Sequence, residues 1–130
     1  MITRHASCSC GQLRIACQGD PVRISICHCL ACQKRTGAPF GEQARFAVDQ
    51  VATDGRTATY KRRGESGGEA TFRFCPDCGS TVWWTPNTMV WFVSVAVGAF
   101  ADPGFPAPTV SVYDEHRHPW TAANPELTRE

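Results

Sequence analysis

Cysteine placement constrains this chain more than any other feature. Seven of its eight cysteines fall in three tight groups: Cys8-Ser9-Cys10, Cys27-His28-Cys29-Leu30-Ala31-Cys32 and Cys75-Pro76-Asp77-Cys78. The N-terminal run MITRHASCSCGQL lacks the apolar stretch of an export signal, so a cytoplasmic chain is expected. In a reducing compartment disulfides are disfavoured, and clustered thiols more often bind metal or do chemistry. A secreted disulfide scaffold is the alternative; the absent signal and the metal-type spacing argue against it.

The groups sit in a chain that reads as β structure. In QLRIACQG, Leu13, Ile15 and Cys17 share one face; in VRISIC, Val22, Ile24 and Ile26 do. The intervening Gly19-Asp20-Pro21 predicts a turn, and the two runs are expected to form a hairpin. TATYKRR and EATFRFC, flanking a glycine-rich loop at 64–68, predict a second hairpin. STVWW and MVWFVSVAV are two further strands; the second, apolar on both faces, belongs in the middle of a sheet. After a connector with Pro103, Pro106 and Pro108, TVSVY predicts a last strand. The one helical candidate runs from about Leu30 to Arg35, with Gly37 ending it. With 130 residues, the expectation is a single mainly antiparallel all-β domain with short helical turns and a tail at 122–130 that is loose. Trp83, Trp84, Trp91 and Trp120 are expected to build the core.

Charge and hydropathy argue against two broad roles, with nucleic-acid binding through a local basic patch left open. Lys plus Arg is 13 against 12 for Asp plus Glu, a balance unlike the basic excess of dedicated nucleic-acid binders. The longest apolar run, MVWFVSVAVGAF, falls well short of the roughly 20 residues that span a bilayer.

Spacing sorts the cysteines into two sites. Cys75 and Cys78 form a C-x-x-C turn whose sulfurs can converge on one ion, with Gly79 relieving the backbone beside it. Cys8 and Cys10, two apart in an extended segment, point to the same side and can complete a Cys₄ structural zinc site. A redox pair is the rival for the C-x-x-C, but such motifs open a helix, whereas strand-like STVWW follows here. Cys27, Cys29 and Cys32 remain. Cys27 and Cys29 share a face and Cys32 returns from the next turn, so His28 faces away and reads as a packed imidazole, with a catalytic role as the alternative. Cys17 is the alternative fourth ligand, but it aligns with Leu13 and Ile15 and reads as a core residue. Three ligands with one open position is the usual design of catalytic zinc.

These motifs in this order resemble the glutathione-dependent formaldehyde-activating enzyme family, which includes centromere protein V. The matching residues are Cys8-Ser9-Cys10-Gly11, Cys27-His28-Cys29 with Cys32, Lys34-Arg35, Gly37-Ala38, Arg73-Phe74-Cys75 and Cys78-Gly79-Ser80. Gly98, Asp102-Pro103, Pro108 and Pro119-Trp120 extend the likeness to roughly residues 5–121. The resemblance implies a β-tent fold with two zinc ions. It assigns Cys8, Cys10, Cys75 and Cys78 to a structural ion, and Cys27, Cys29 and Cys32 to the ion where glutathione chemistry occurs. The implied activity is that of a carbon–sulfur lyase forming S-hydroxymethylglutathione reversibly from glutathione and formaldehyde. Two positions depart from the family pattern: Ala101 stands where an acidic residue is common, and Ser111 where a histidine is. Both bear on the substrate more than on the metal.

A zinc ion with three thiolates is net negative, and a bound substrate thiolate adds to that charge. Lys34 and Arg35, just after the last ligand, are the first candidates to offset it and to grip a substrate carboxylate. A solvated turn is the alternative for both. Lys61, Arg62 and Arg63 form a second basic run, read as a solvated strand end or loop. Two other functions stay open: a lyase or transferase acting on a different thiol adduct, and a binding module with both zincs structural.

Overall fold

Alternating short strands produce two sheets in the computed structural model, which describes residues 1–64, 66–121 and 127–130. In chain order the strands are β1 (Thr3–Ser7), β2 (Arg14–Gln18), β3 (Arg23–Cys27), β4 (Gly41–Ala47), β5 (Val51–Asp54), β6 (Ala58–Arg63), β7 (Glu69–Phe74), β8 (Thr81–Pro86), β9 (Phe92–Ala96), β10 (Val110–Val112) and β11 (Thr128–Arg129). One helix of two turns, α1 (Leu30–Thr36), lies between β3 and β4. A small sheet has the order β1-β2-β5, and a large one runs β11-β10-β3-β4-β9-β8-β7-β6. Pairing is antiparallel except where β10 lies parallel to β3 and β11. The fold is mainly β, as expected from the alternation, and among the described residues no helix is long and apolar enough to cross a membrane.

The core fills the space between the sheets. Leu13, Ile15 and Cys17 come from the small-sheet side; Ile24, Ala44, Phe46, Val82, Trp83, Val93 and Val95 come from the large sheet. Burying each large apolar side chain contributes roughly 1.5–3 kcal/mol. Cys17 is fully enclosed, in agreement with its reading as a core residue, and burial pushes its thiol up to about 12.

The period of two decides what the back of the large sheet offers. Trp83 points into the core, so its neighbour Trp84 emerges on the opposite face. There Tyr60, Phe72 and Trp84 stand opposite one another across β6, β7 and β8, and Phe72 stacks on Trp84 at 5.2 Å. This aromatic row underlies the site described below.

The β6/β7 hairpin forms as expected, β8 pairs antiparallel with β9, and β9 is central. The expected hairpin of β2 with β3 does not. β2 is paired on both edges, by β1 and β5, while β3 pairs β4 and β10. Gly19 donates its N–H to Ile2 and Val22 donates to Arg45, so the Gly-Asp-Pro segment crosses between sheets instead of folding back. Trp91 and Trp120 also differ from expectation: they are 58% and 71% exposed, and only Trp83 and Trp84 are buried. The tail 122–130 lies partly outside the described residues, but Thr128–Arg129 extends the large sheet as β11.

β11 is held through Asp114, which accepts from Ser111 Oγ at 2.9 Å and from Arg129 Nη1 at 3.0 and 3.1 Å. Burial raises the Asp114 carboxyl, but Ser111 and the Arg129 and Arg117 guanidiniums outweigh it and hold it below the ordinary 3.8. A depressed carboxylate stabilises the fold above its unfolded pKa, and that contribution is lost as pH falls through the folded value. Asp114→Asn is therefore expected to lower stability near neutral pH and to flatten the acid limb below about pH 4, read by urea unfolding across pH.

Gly55 shows the strongest backbone requirement. Its φ is +105°, and a Cβ there would overlap the Gln12 carbonyl oxygen. Gly55→Ala is expected to cost at least about 2 kcal/mol in denaturant unfolding, and Gly98→Ala, which meets open space, less than about 0.5 kcal/mol.

Candidate functional site

Two turns that follow strands bring four sulfurs together. Cys8 and Cys10 lie just after β1, Cys75 and Cys78 just after β7, so the group joins the small sheet to the large one. Left-handed Gly11 and Gly79 close the two turns, with Gly11 N–H donating to Cys8 O and Gly79 N–H to Cys75 O. Cys8 and Cys10 sulfurs are 3.6 Å apart, and Cys10 and Cys75 are 3.7 Å apart. A tetrahedron with metal–sulfur bonds of about 2.3 Å has edges of about 3.8 Å. A disulfide would need about 2.05 Å, and all eight cysteines are free.

N–H groups converge on these sulfurs as they do on thiolates. Leu13 N–H points at Cys8 Sγ (3.3 Å), Asp77 N–H at Cys75 Sγ (3.4 Å) and Gln12 Nε2 at Cys75 Sγ (3.0 Å). Backbone N–H groups of Ser80 and Cys10 hold the Cys78 thiol down at about 5. Gln12 is itself locked, donating to Arg56 O and accepting from Arg56 N–H, while Arg56 pairs with Asp77. The donor set and spacing fit a metal ion bound by four sulfurs.

The second group is built where β3 runs into α1. Cys27 ends the strand, and Cys29 caps the helix with its sulfur accepting from Cys32 N–H at 3.2 Å. All three sulfurs are buried and lie within 4.8 Å of one another, packed with Ala31, Val112 and Tyr113. Hydrogen bonds from the Cys27 and Cys29 thiols lower the Cys32 pKa against the cost of burial, with Arg35 and Arg62 adding to the effect. Cys27 is pushed up by its hydrogen bonds to Cys29 and Cys32 and by burial. This set can also hold a metal ion, one sulfur short of closure.

The residues singled out around it divide sharply. His28 is 2% exposed, edge-on to Phe40, and its charged neighbours are Asp114, Arg117, Arg129 and His118. Burial lowers its pKa, which keeps the imidazole neutral. Lys34 is exposed and borders the clefts on both sides of α1. Arg35 turns inward: its guanidinium lies 4.4 Å over Trp84 and 5.6 Å from Phe72. Gly41 makes room for it, since a Cβ there would come within 2.9 Å of Arg35 Nη2.

Arg62 does not sit on a solvated strand end. It lies 4.5 Å over the Phe72 ring, with Nη2 3.9 Å from Cys32 Sγ. Lys61 and Arg63 on either side are exposed, as expected. The alternation of TATYKRR carries the signal: Tyr60 and Arg62 must share a face. The aromatic row opposite them becomes visible only once strand pairing is known. Together Ala31, Lys34, Arg35, Tyr60, Arg62 and Phe72 border a cleft of about 310 Å³ beside the three sulfurs.

Two stacked sheets joined by a four-sulfur group, with a buried three-sulfur group beside a cationic cleft, define a small β domain with two cysteine clusters that could hold metal. Residues 3–116 match the family model of the glutathione-dependent formaldehyde-activating enzyme, and the chain belongs to that family. A crystal structure of a Rhodobacter sphaeroides protein shares the fold, with a TM-score of 0.56 at 19% identity over 73% of this chain and 85% of that one. Comparison with curated proteins gave no significant match.

If an ion ties β1 to β7, its removal must loosen both sheets. A zinc-selective chelator is expected to lower the melting temperature of the purified protein by at least about 10 °C and to shift Cys75→Ser, already low-melting, far less.

Proposed function

We propose that this chain is a zinc-dependent carbon–sulfur lyase that forms and cleaves S-hydroxymethylglutathione. The observation that carries the reading is the three-sulfur set, buried and one donor short, next to a cleft with two inward-turned arginines. Cys27, Cys29 and Cys32 would hold a zinc ion with an open position, and Cys8, Cys10, Cys75 and Cys78 would hold a structural one. A zinc ion held there would supply a position for a substrate sulfur as thiolate, nucleophilic at neutral pH.

The chain's own residues do the rest. The Cys29 cap and the β3–β10 pairing at Cys27 fix the sulfurs in place before substrate arrives. Arg35 and Arg62 offset the negative charge that accumulates when a further thiolate enters. The apolar walls from Ala31, Phe72 and Tyr60 keep the aldehyde in a partly dry cleft. In the forward direction the sulfur–carbon bond forms, the carbonyl π bond breaks, and the proton released by the thiol ends on the new hydroxyl. No electrons are gained or lost. The neutral, enclosed His28 belongs to the packing of the β3–α1 junction, so solvent carries that proton from the thiol to the new alkoxide. A reducing cytoplasm suits eight free thiols.

A different thiol adduct is the second reading. Ser111, at a position where the family commonly has histidine, is buried and spends its hydroxyl on Asp114, so it offers no group to a substrate.

Exchange NMR with glutathione and formaldehyde tests the proposal. The zinc-loaded protein is expected to raise the exchange rate at least 10-fold above background, and Cys29→Ser to abolish the gain. Metal analysis should give two zinc ions per chain in wild type and one in Cys29→Ser. An exchange rate equal to background would sink the lyase reading for this adduct.

A further inference from the structure

Among the described residues, two arginines stacked on aromatic rings share the Cys32 sulfur and have no carboxylate partner. Arg35 lies over Trp84 and Phe72, and Arg62 over Phe72. Stacking of this kind holds a guanidinium flat and leaves its donor edge directed along the ring plane. The Nε–H of each is buried without an acceptor, and among the described residues neither guanidinium pairs with Asp or Glu. Burial costs Arg35 enough to lower its pKa. Half-buried cations are normally paired, because desolvation is otherwise uncompensated. The Cys32 sulfur meets both guanidiniums, Arg62 Nη2 at 3.9 Å, and leaves the two Nε–H donors without an acceptor.

Both guanidiniums border the same cleft, which Ala31, Tyr60, Phe72 and Phe74 line with apolar surface. We propose that this cleft is a carboxylate subsite for the thiol adduct, with Arg62 as its specificity-determining residue and Arg35 as support. The substrate class is a thiol bearing a carboxylate a few bonds from sulfur, its hydrocarbon resting on the aromatic row. A carboxylate accepts two parallel N–H bonds from a guanidinium, a match that a neutral ester lacks. This inference rests on the thiol-adduct reading above for the sulfur end of the ligand.

Calorimetric titration of the zinc-loaded protein with S-methylglutathione and with its diethyl ester tests it, since the blocked sulfur reports on the rest of the molecule. Wild type is expected to bind the diacid at least 10-fold tighter than the diester. Arg62→Gln should reduce that ratio below about 3, Arg62→Lys should retain part of it, and Arg63→Gln on the exposed side should leave it unchanged. Far-UV dichroism checks that β6, an edge strand, still folds. In the exchange assay Arg62→Gln should raise KM for glutathione about 10-fold with kcat within 3-fold. Equal binding of diacid and diester by wild type, a preference that survives Arg62→Gln, or no binding of either at about 10 mM overturns the subsite. Preference without any exchange activity would leave the subsite standing and remove the lyase reading. Exchange that treats glutathione and its diester alike would do the reverse.

Discussion

Four sulfurs meeting across 65 residues of chain are the constraint on which the rest of this structure depends. The small sheet has three short strands, and a sheet of that size is marginal alone. It gains stability only by packing its apolar face on the large sheet, and the turns after β1 and β7 pin that packing at one end. Gln12 and the Arg56–Asp77 pair then brace the turns from outside. The sulfurs, the glycine turns and the core therefore form one unit, in which losing any part loosens the others.

The second sulfur group has a different architecture because its position differs. It lies at a strand-to-helix junction, where Cys29 belongs to the sulfur group and also caps α1. The helix is too short to be stable by itself. Its hold comes from the Cys29 cap, the left-handed Gly37 at its other end, and Arg35 inserted against the aromatic row. The same contacts that fix the helix thus set the cationic wall of the cleft. This coupling explains why an arginine directed inward, rather than a lysine in solvent, is the substantive neighbour of the three sulfurs.

Much of the site was legible before the structure. The division of seven cysteines into four and three followed from two-residue spacing in extended segments and from one C-x-x-C turn, both local properties. The helix from Leu30 and its stop at Gly37 followed from residue chemistry. The β2–β3 hairpin failed because turn residues announce a change of direction without saying which strand is met next. Arg62 was misplaced for a related reason: a run of three basic residues looks uniformly solvated until one face of its strand is covered by a helix from elsewhere.

Sequence alone determined the donors, the strand periodicity and the family, because each depends on residues close together in the chain. Only the tertiary structure decided which sheet each strand joined and that Trp84 and Phe72 became a floor while Trp91 and Trp120 stayed in water. It alone turned Arg35 and Arg62 from two distant segments toward one cleft. Strand pairing between remote segments is set by which apolar faces can be buried together, and no local stretch of residues encodes that choice.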